Sequence, residues 1–257
     1  MADYDNRIIR GQARTQAGEI DVGLRAYMLR VYNYMLVGLL LTGLTAYGVY
    51  TMAATVDPAL AAAKLPNGVM LTSFGVTLFT SPLRWLFMLA PLGAVLYINA
   101  RLQKMSVGGA QAAFWIFAGL MGVSFSTIFV IYASSSIAEV FFITAAAFGG
   151  LSLYGYTTKT DLSPIGSFLI MGVWGLLIAM VVNMFMQSSM MMWIMSVAGV
   201  GIFAGLTAYD TQRIKDMYQA NDDGTLAAKK SIMGALALYL DFINMFQFML
   251  FLMGGRR

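Results

Sequence analysis

The chain has 257 residues, of which 59% are hydrophobic and 11% charged, with a formal net charge of +4. Soluble domains run at about 45–50% apolar and about 25% charged residues, so this composition, with a mean hydropathy of +0.72, describes a protein that crosses a membrane several times. Cys and His are both absent, which excludes disulfides, thiolate metal sites, cysteine nucleophiles, and the usual zinc ligand and neutral-pH switch, leaving carboxylates as the groups able to titrate near neutrality.

Residues 1–30 carry Arg7, Arg10, Arg14, Arg25 and Arg30 without a strong apolar period and read as a polar, basic cytoplasmic tail. A cleaved signal peptide fits poorly, because the first apolar run begins only near Asn33 and is long enough to span. Residues 31–257 read as one membrane domain. Its apolar runs fall at Asn33 to Ala53, Leu78 to Ala100, Gln111 to Tyr132, Ile137 to Tyr156, Pro164 to Met186, Met190 to Tyr209 and Ile232 to Met253. Each is close to the roughly 20 residues that a spanning helix needs, so the fold class is all-α, a bundle of seven transmembrane helices. Ala133-Ser134-Ser135-Ser136 and Gln187-Ser188-Ser189 are short connections that imply antiparallel hairpins. The segment from Thr51 to Thr77, with Pro58, Pro66 and Gly68, reads as an irregular loop with one short helix.

Lys and Arg set the expected orientation. With the amino terminus cytoplasmic, the inside holds the five tail arginines together with Arg101, Lys104, Lys159, Arg213, Lys215, Lys229 and Lys230. The outside holds Lys64, Arg84, Arg256 and Arg257. Seven spans then put the carboxyl terminus outside; a re-entrant last segment would bring the two terminal arginines inside, at the expense of a special geometry.

The polar residues within the apolar runs carry the functional information. Asp241 lies about 13 Å along the seventh helix at about 1.5 Å per residue, a depth at which an unpaired carboxylate is expensive. The second run ends at Arg101 and the sixth at Asp210, both on the same side. Three such groups at similar depth gain by meeting, so Arg101, Asp210 and Asp241 are expected to cluster. Asn244 follows Asp241 by one helical turn and Gln247 by another, giving the seventh helix a polar stripe that should face the bundle interior. Glu139 is expected at an interface and Arg84 to extend toward the outer headgroups. The 21 Met read as soft packing, and Gly201-x-x-x-Gly205 as a close-packing spacing that serves either an in-chain neighbour or a second protomer.

The runs Ala208-Tyr209-Asp210-Thr211-Gln212-Arg213-Ile214-Lys215 and Ala237-Leu238-Tyr239-Leu240-Asp241-Phe242-Ile243-Asn244-Met245-Phe246 resemble the two signatures of the Bax inhibitor-1 family, also called the transmembrane Bax inhibitor motif family, and most closely its bacterial members. Ala90-Pro91-Leu92 in the second helix adds to the resemblance, which covers nearly the whole chain. It implies a bundle with the last helix central, a hydrogen-bonded pair of Asp210 and Asp241 acting as pH sensor and gate, and Arg101 as the latch on that pair. Asn244 and Gln247 would then face a pore. The implied activity is a proton-sensitive calcium leak in the bacterial inner membrane, with Asp210 and Asp241 as transient calcium ligands and no resident cofactor.

Two carboxyl groups in contact cannot both ionise cheaply, so the pair is expected to share a proton and to titrate as one unit. Changing its proton count would bias closed against open packing, and calcium, which favours carboxylates and carbonyls, would compete for the same oxygens.

Three other readings compete with the channel. An Asp-Arg-Asp cluster can be a structural clasp alone. An intramembrane aspartyl protease needs two carboxyl groups sharing a proton, but its second aspartate follows Gly-x-Gly, whereas Asp241 follows Leu238-Tyr239-Leu240. Some bacterial relatives are held to modulate membrane-anchored quality-control proteases of the AAA class, for which the basic tail would be the docking element. No catalytic residues are expected. Phosphate loops and dinucleotide fingerprints are absent, and the basic residues flank membrane helices, so anionic lipid is a better partner than nucleic acid.

Overall fold

A computed structural model describes the backbone of residues 2–256 and the side chains of residues 22–256. Arg7, Arg10 and Arg14 of the expected basic tail therefore lie outside the described side chains. The elements in chain order are α1 (Ala2–Ala53), β1 (Ala54–Thr55), β2 (Ala63–Lys64), β3 (Met70–Leu71), α2 (Ser73–Thr80), α3 (Leu83–Arg101), α4 (Val107–Ile131), α5 (Ser134–Thr157), α6 (Ser163–Met186), α7 (Ser189–Asp216) and α8 (Gly224–Met253). Among the described residues, 7 helices are long and apolar enough to cross a membrane. The chain is thus an all-α, multi-pass integral membrane protein.

The helices run beyond the apolar stretches that announce them. α1 begins well before the apolar run near Asn33, and Tyr27, Met28, Val31 and Met35 form a stripe at helical spacing that is buried against the bundle. Arg25 and Arg30 occupy the exposed side of the same turns. α7 continues past Tyr209 to Asp216, so Asp210 sits inside a helix instead of at its end. Caps fix several starts: Ser106 accepts from Gly109 N–H before α4, Ser188 from Met191 N–H before α7, and Asp223 from Leu226 N–H before α8. The last element is a continuous helix of 30 residues, which removes the re-entrant alternative.

The Thr51 to Thr77 connection departs from the expected irregular loop. It holds the short helix α2 and also a small antiparallel sheet in the order β1-β3-β2, with Leu71 of β3 between Ala54 and Ala63. Strands of two residues leave no alternating pattern to read in the sequence. Gly68, with φ of 87°, makes the turn before β3.

α8 forms the centre. Its most apolar stretch is 56% buried, against 11% for α3 and α6, and it packs on α1, α4, α5 and α7. Tyr239 is fully buried, its ring edge-on to Phe114 and Phe117 at 6.0 and 5.3 Å. Where lipid replaces water, helices associate through close backbone approach and interhelical hydrogen bonds, and both are present. A Cβ on Gly155 of α5 would sit 2.1 Å from the Ala208 carbonyl oxygen of α7, and one on Gly122 of α4 would sit 2.7 Å from that of Thr42 in α1. Within Gly201-x-x-x-Gly205, Gly205 receives Leu169 of α6 while Gly201 meets nothing within 4 Å, so one glycine of the spacing seats an in-chain neighbour.

Candidate functional site

α7 and α8 are the helices that pack together around the first signature, and their two aspartates meet. The Asp210 and Asp241 carboxyl groups lie side by side on the wall of one cavity, within range of each other's charge. Asp241 is 4% exposed, and its Oδ2 has no N–H or O–H donor among the described residues. A carboxyl group donates only when protonated. The facing Asp210 carboxyl therefore satisfies Asp241 only when a proton lies between them.

The two signatures hold this pair by interlocking contacts on the other faces of the helices. Gln212 accepts from Leu162 N–H and donates to the Thr160 carbonyl, both at 2.8 Å, clamping the α5–α6 loop to α7. Thr211 shares a 2.9 Å hydrogen bond with Ser152 of α5, which in turn bonds Tyr32 of α1 at 2.6 Å. The Tyr209 ring lies on Gly166 of α6, where a Cβ would come within 2.5 Å of it. In α8, Tyr239 and Thr42 of α1 share a 2.6 Å hydrogen bond, and Thr42 Oγ1 also lies 2.9 Å from the Ala118 carbonyl of α4. Phe242 packs its ring against Phe141 and Phe148 of α5.

A cavity of about 990 Å³ borders the pair. Asp210, Asp241, Asn244 and Gln247 all line it. The cavity extends from Arg84 at one end of α3 to Met217 and Met233 near the α7–α8 connection. α3, which packs on α2 and α4, forms the wall opposite α7 and α8 through Trp85, Met88, Leu92, Val95 and Asn99. Asn244 Nδ2 donates 2.8 Å to the Leu240 carbonyl of its own helix.

Arg101 does not join the aspartates, contrary to the expected three-residue cluster. It is exposed at the end of α3 and forms no ion pair among the described residues. Successive helical residues turn by about 100°, so with Asn99 facing the cavity, Arg101 points to the far side. The cation beside the pair is Arg213, one turn along α7, whose Nη1 lies 3.9 Å from Asp210 Oδ1. The i,i+3 spacing of Asp210 and Arg213 was the available sequence signal. Arg213 is 55% exposed against 15% for Asp210, so this is a long, solvent-accessible contact of the weak kind.

Glu139 is exposed near the start of α5. Arg84 lies over the Trp85 ring, 5.1 Å from its centroid, and borders the cavity mouth rather than standing apart from it. No group of three or more His, Cys, Asp or Glu residues converges among the described residues. Calcium takes about 6–8 oxygens, of which two carboxylates supply only part.

Comparison with known proteins agrees with the geometry. The family model described as "Inhibitor of apoptosis-promoting Bax1" matches residues 24–257. The protein RP147 of Rickettsia prowazekii is 43% identical over 237 residues, covering 92% of each chain. The inner membrane protein YbhL of Escherichia coli K12 is 40% identical over 237 residues, 91% of this chain and 94% of its own. A protein of Caulobacter vibrioides is 40% identical over 258 residues, 98% and 99% of the two chains. With both signatures interlocked around facing aspartates, and a match over nearly its whole length, the chain belongs to the Bax inhibitor-1 family.

Proposed function

We propose that the protein is a proton-sensitive leak pathway for calcium in a bacterial inner membrane, with Asp210 and Asp241 as sensor and gate. One observation carries this reading: Asp241 Oδ2 is buried beside the Asp210 carboxyl on the wall of a long cavity and has no hydrogen-bond donor among the described residues.

With one proton between them, the two groups hold α7 to α8. With none, two like charges at close range repel, and the Thr211, Gln212 and Tyr239 contacts keep the helix backbones from absorbing that repulsion by simple separation. The stress falls on the cavity side, where Arg213 draws Asp210 toward the open end. A divalent cation passing the pair takes both carboxylates as ligands and replaces the proton, which couples occupancy to pH. Asn244 and Gln247 extend the polar lining along α8 for an ion that has left the pair.

The aspartyl-protease reading lacks a comparable support. The second aspartate of that chemistry follows Gly-x-Gly, whereas Asp241 follows Leu238-Tyr239-Leu240.

The test is calcium entry into liposomes over a pH series, with the wild type compared with Asp210→Asn and Asp241→Asn. The gate predicts a pH-dependent wild-type flux and a flattened profile in both variants. A wild-type profile that both variants reproduce would leave the pair as a structural clasp only.

A further inference from the structure

A second concavity, of about 660 Å³, lies between α1 and α5, away from the aspartate pair. Its walls are apolar, with Met28, Leu29, Leu36, Phe148 and Leu153 among them. Leu29, Leu36 and Leu153 are more than half exposed, so the groove opens to the bilayer. Two polar groups on its walls, Tyr32 and Ser152, bond each other, and Ser152 also bonds Thr211. These bonds hold the walls in place, and the groove offers a largely apolar surface.

The groove has one polar end. Arg25 lines it there, and Lys215 adds a second cation, donating 3.0 Å to the Tyr156 carbonyl and lying 5.8 Å from the centroid of the Tyr156 ring that also lines it. No acidic side chain lines the groove among the described residues. From Arg25 to Leu36 the helix rises about 16 Å, close to one leaflet of a hydrocarbon core about 30 Å thick. A phosphate at Arg25 thus places the end of an acyl chain near the bilayer midplane at Leu36.

We propose that the α1–α5 groove is a binding site for an anionic phospholipid, with its headgroup on Arg25 and Lys215 and one acyl chain lying past Leu29 and Gly149 to Leu36. The two cations supply preference for a net-negative headgroup over a zwitterionic one, and the leaflet-length groove supplies the seat.

Gly149 permits a steric test. It lines the groove, and a Cβ there meets nothing within 4 Å, so the position admits a side chain and Gly149→Leu projects into the groove. Gly93→Leu, which also enters open space, serves as the control. The full chain is reconstituted in nanodiscs of equal phosphatidylglycerol and phosphatidylcholine, and retained lipid is read by native mass spectrometry. The wild type should retain phosphatidylglycerol over phosphatidylcholine by about five-fold. Arg25→Gln should bring that ratio close to one, and Gly149→Leu should lose the retained lipid at an unchanged melting temperature, while Gly93→Leu keeps the wild-type lipid count. Equal retention of both lipids by the wild type, or an unchanged ratio and count in both groove variants, would overturn the proposal.

Discussion

At the residue scale the protein turns on what stands next to each buried carboxyl group. Asp241 is enclosed by its own helix and faces Asp210, whereas Asp210 also feels Arg213. The two arginines considered as partners therefore separate experimentally. Arg213→Gln should shift the pH profile of calcium flux, and Arg101→Gln should leave it within error of the wild type, since Arg101 faces away from the cavity. A shift produced by Arg101→Gln and not by Arg213→Gln would reverse that assignment. Outside the membrane, the Ser163 N–H bond holds Asp161 below its ordinary carboxylate value. A depressed group stabilises the fold above its unfolded value, about 3.9, and loses that effect as pH falls through the lower folded value. Acid weakening of the α6 start should therefore appear only below about pH 4, and hydrogen exchange of the Ser163–Gly166 amides in wild type and Asp161→Asn measures it.

At the element scale, close approach does the work that water exclusion does in soluble proteins. Gly155→Ala drives a methyl into the Ala208 carbonyl and should lower stability by about 1–3 kcal/mol, whereas Gly175→Ala in α6 enters open space and should be neutral or slightly stabilising. Thermal unfolding in one detergent compares the two, and similar melting temperatures would refute tight α5–α7 packing. Tyr239→Phe removes one interhelical hydrogen bond and leaves Thr42 its carbonyl partners, so a loss of about 1 kcal/mol is expected in the same assay. The helices themselves were readable from apolar length. The β1-β3-β2 sheet was not, since pairs of residues carry no period, and the helical stretch of α1 ahead of Asn33 was hidden by arginines on its exposed face.

At the scale of the whole molecule, the cavity divides the bundle into α3 with its α2 and α4 neighbours on one side and α7 with α8 on the other. A chain with no native cysteine makes every introduced thiol unique. Asn99→Cys and Gln247→Cys, on the cavity wall, should react with a water-soluble maleimide in proteoliposomes, while Ile178→Cys, 63% exposed outside the cavity on α6, should not, because lipid covers it. Equal labelling at all three positions would argue against a water-filled interior. Seven spans also put the two chain ends on opposite sides, and the twelve-against-four distribution of Lys and Arg expects the amino terminus on the cytoplasmic one.

The amino-acid sequence by itself determined the solvent, the number of spans and the identity of the two aspartates, because hydropathy over 20 residues and a carboxylate inside such a run are local facts that need no partner. It also pointed α8's polar stripe inward, since Asp241, Asn244 and Gln247 share one helical face. Only the tertiary structure decided which cation meets the pair. Depth along a helix follows from counting residues, but the direction in which Arg101 points depends on the rotation of α3 about its axis, and that is set by packing against α2 and α4. The same holds for Thr42, Ser152 and Gln212, whose hydroxyl and amide contacts join residues 50 or more positions apart and become visible only when the helices are placed side by side.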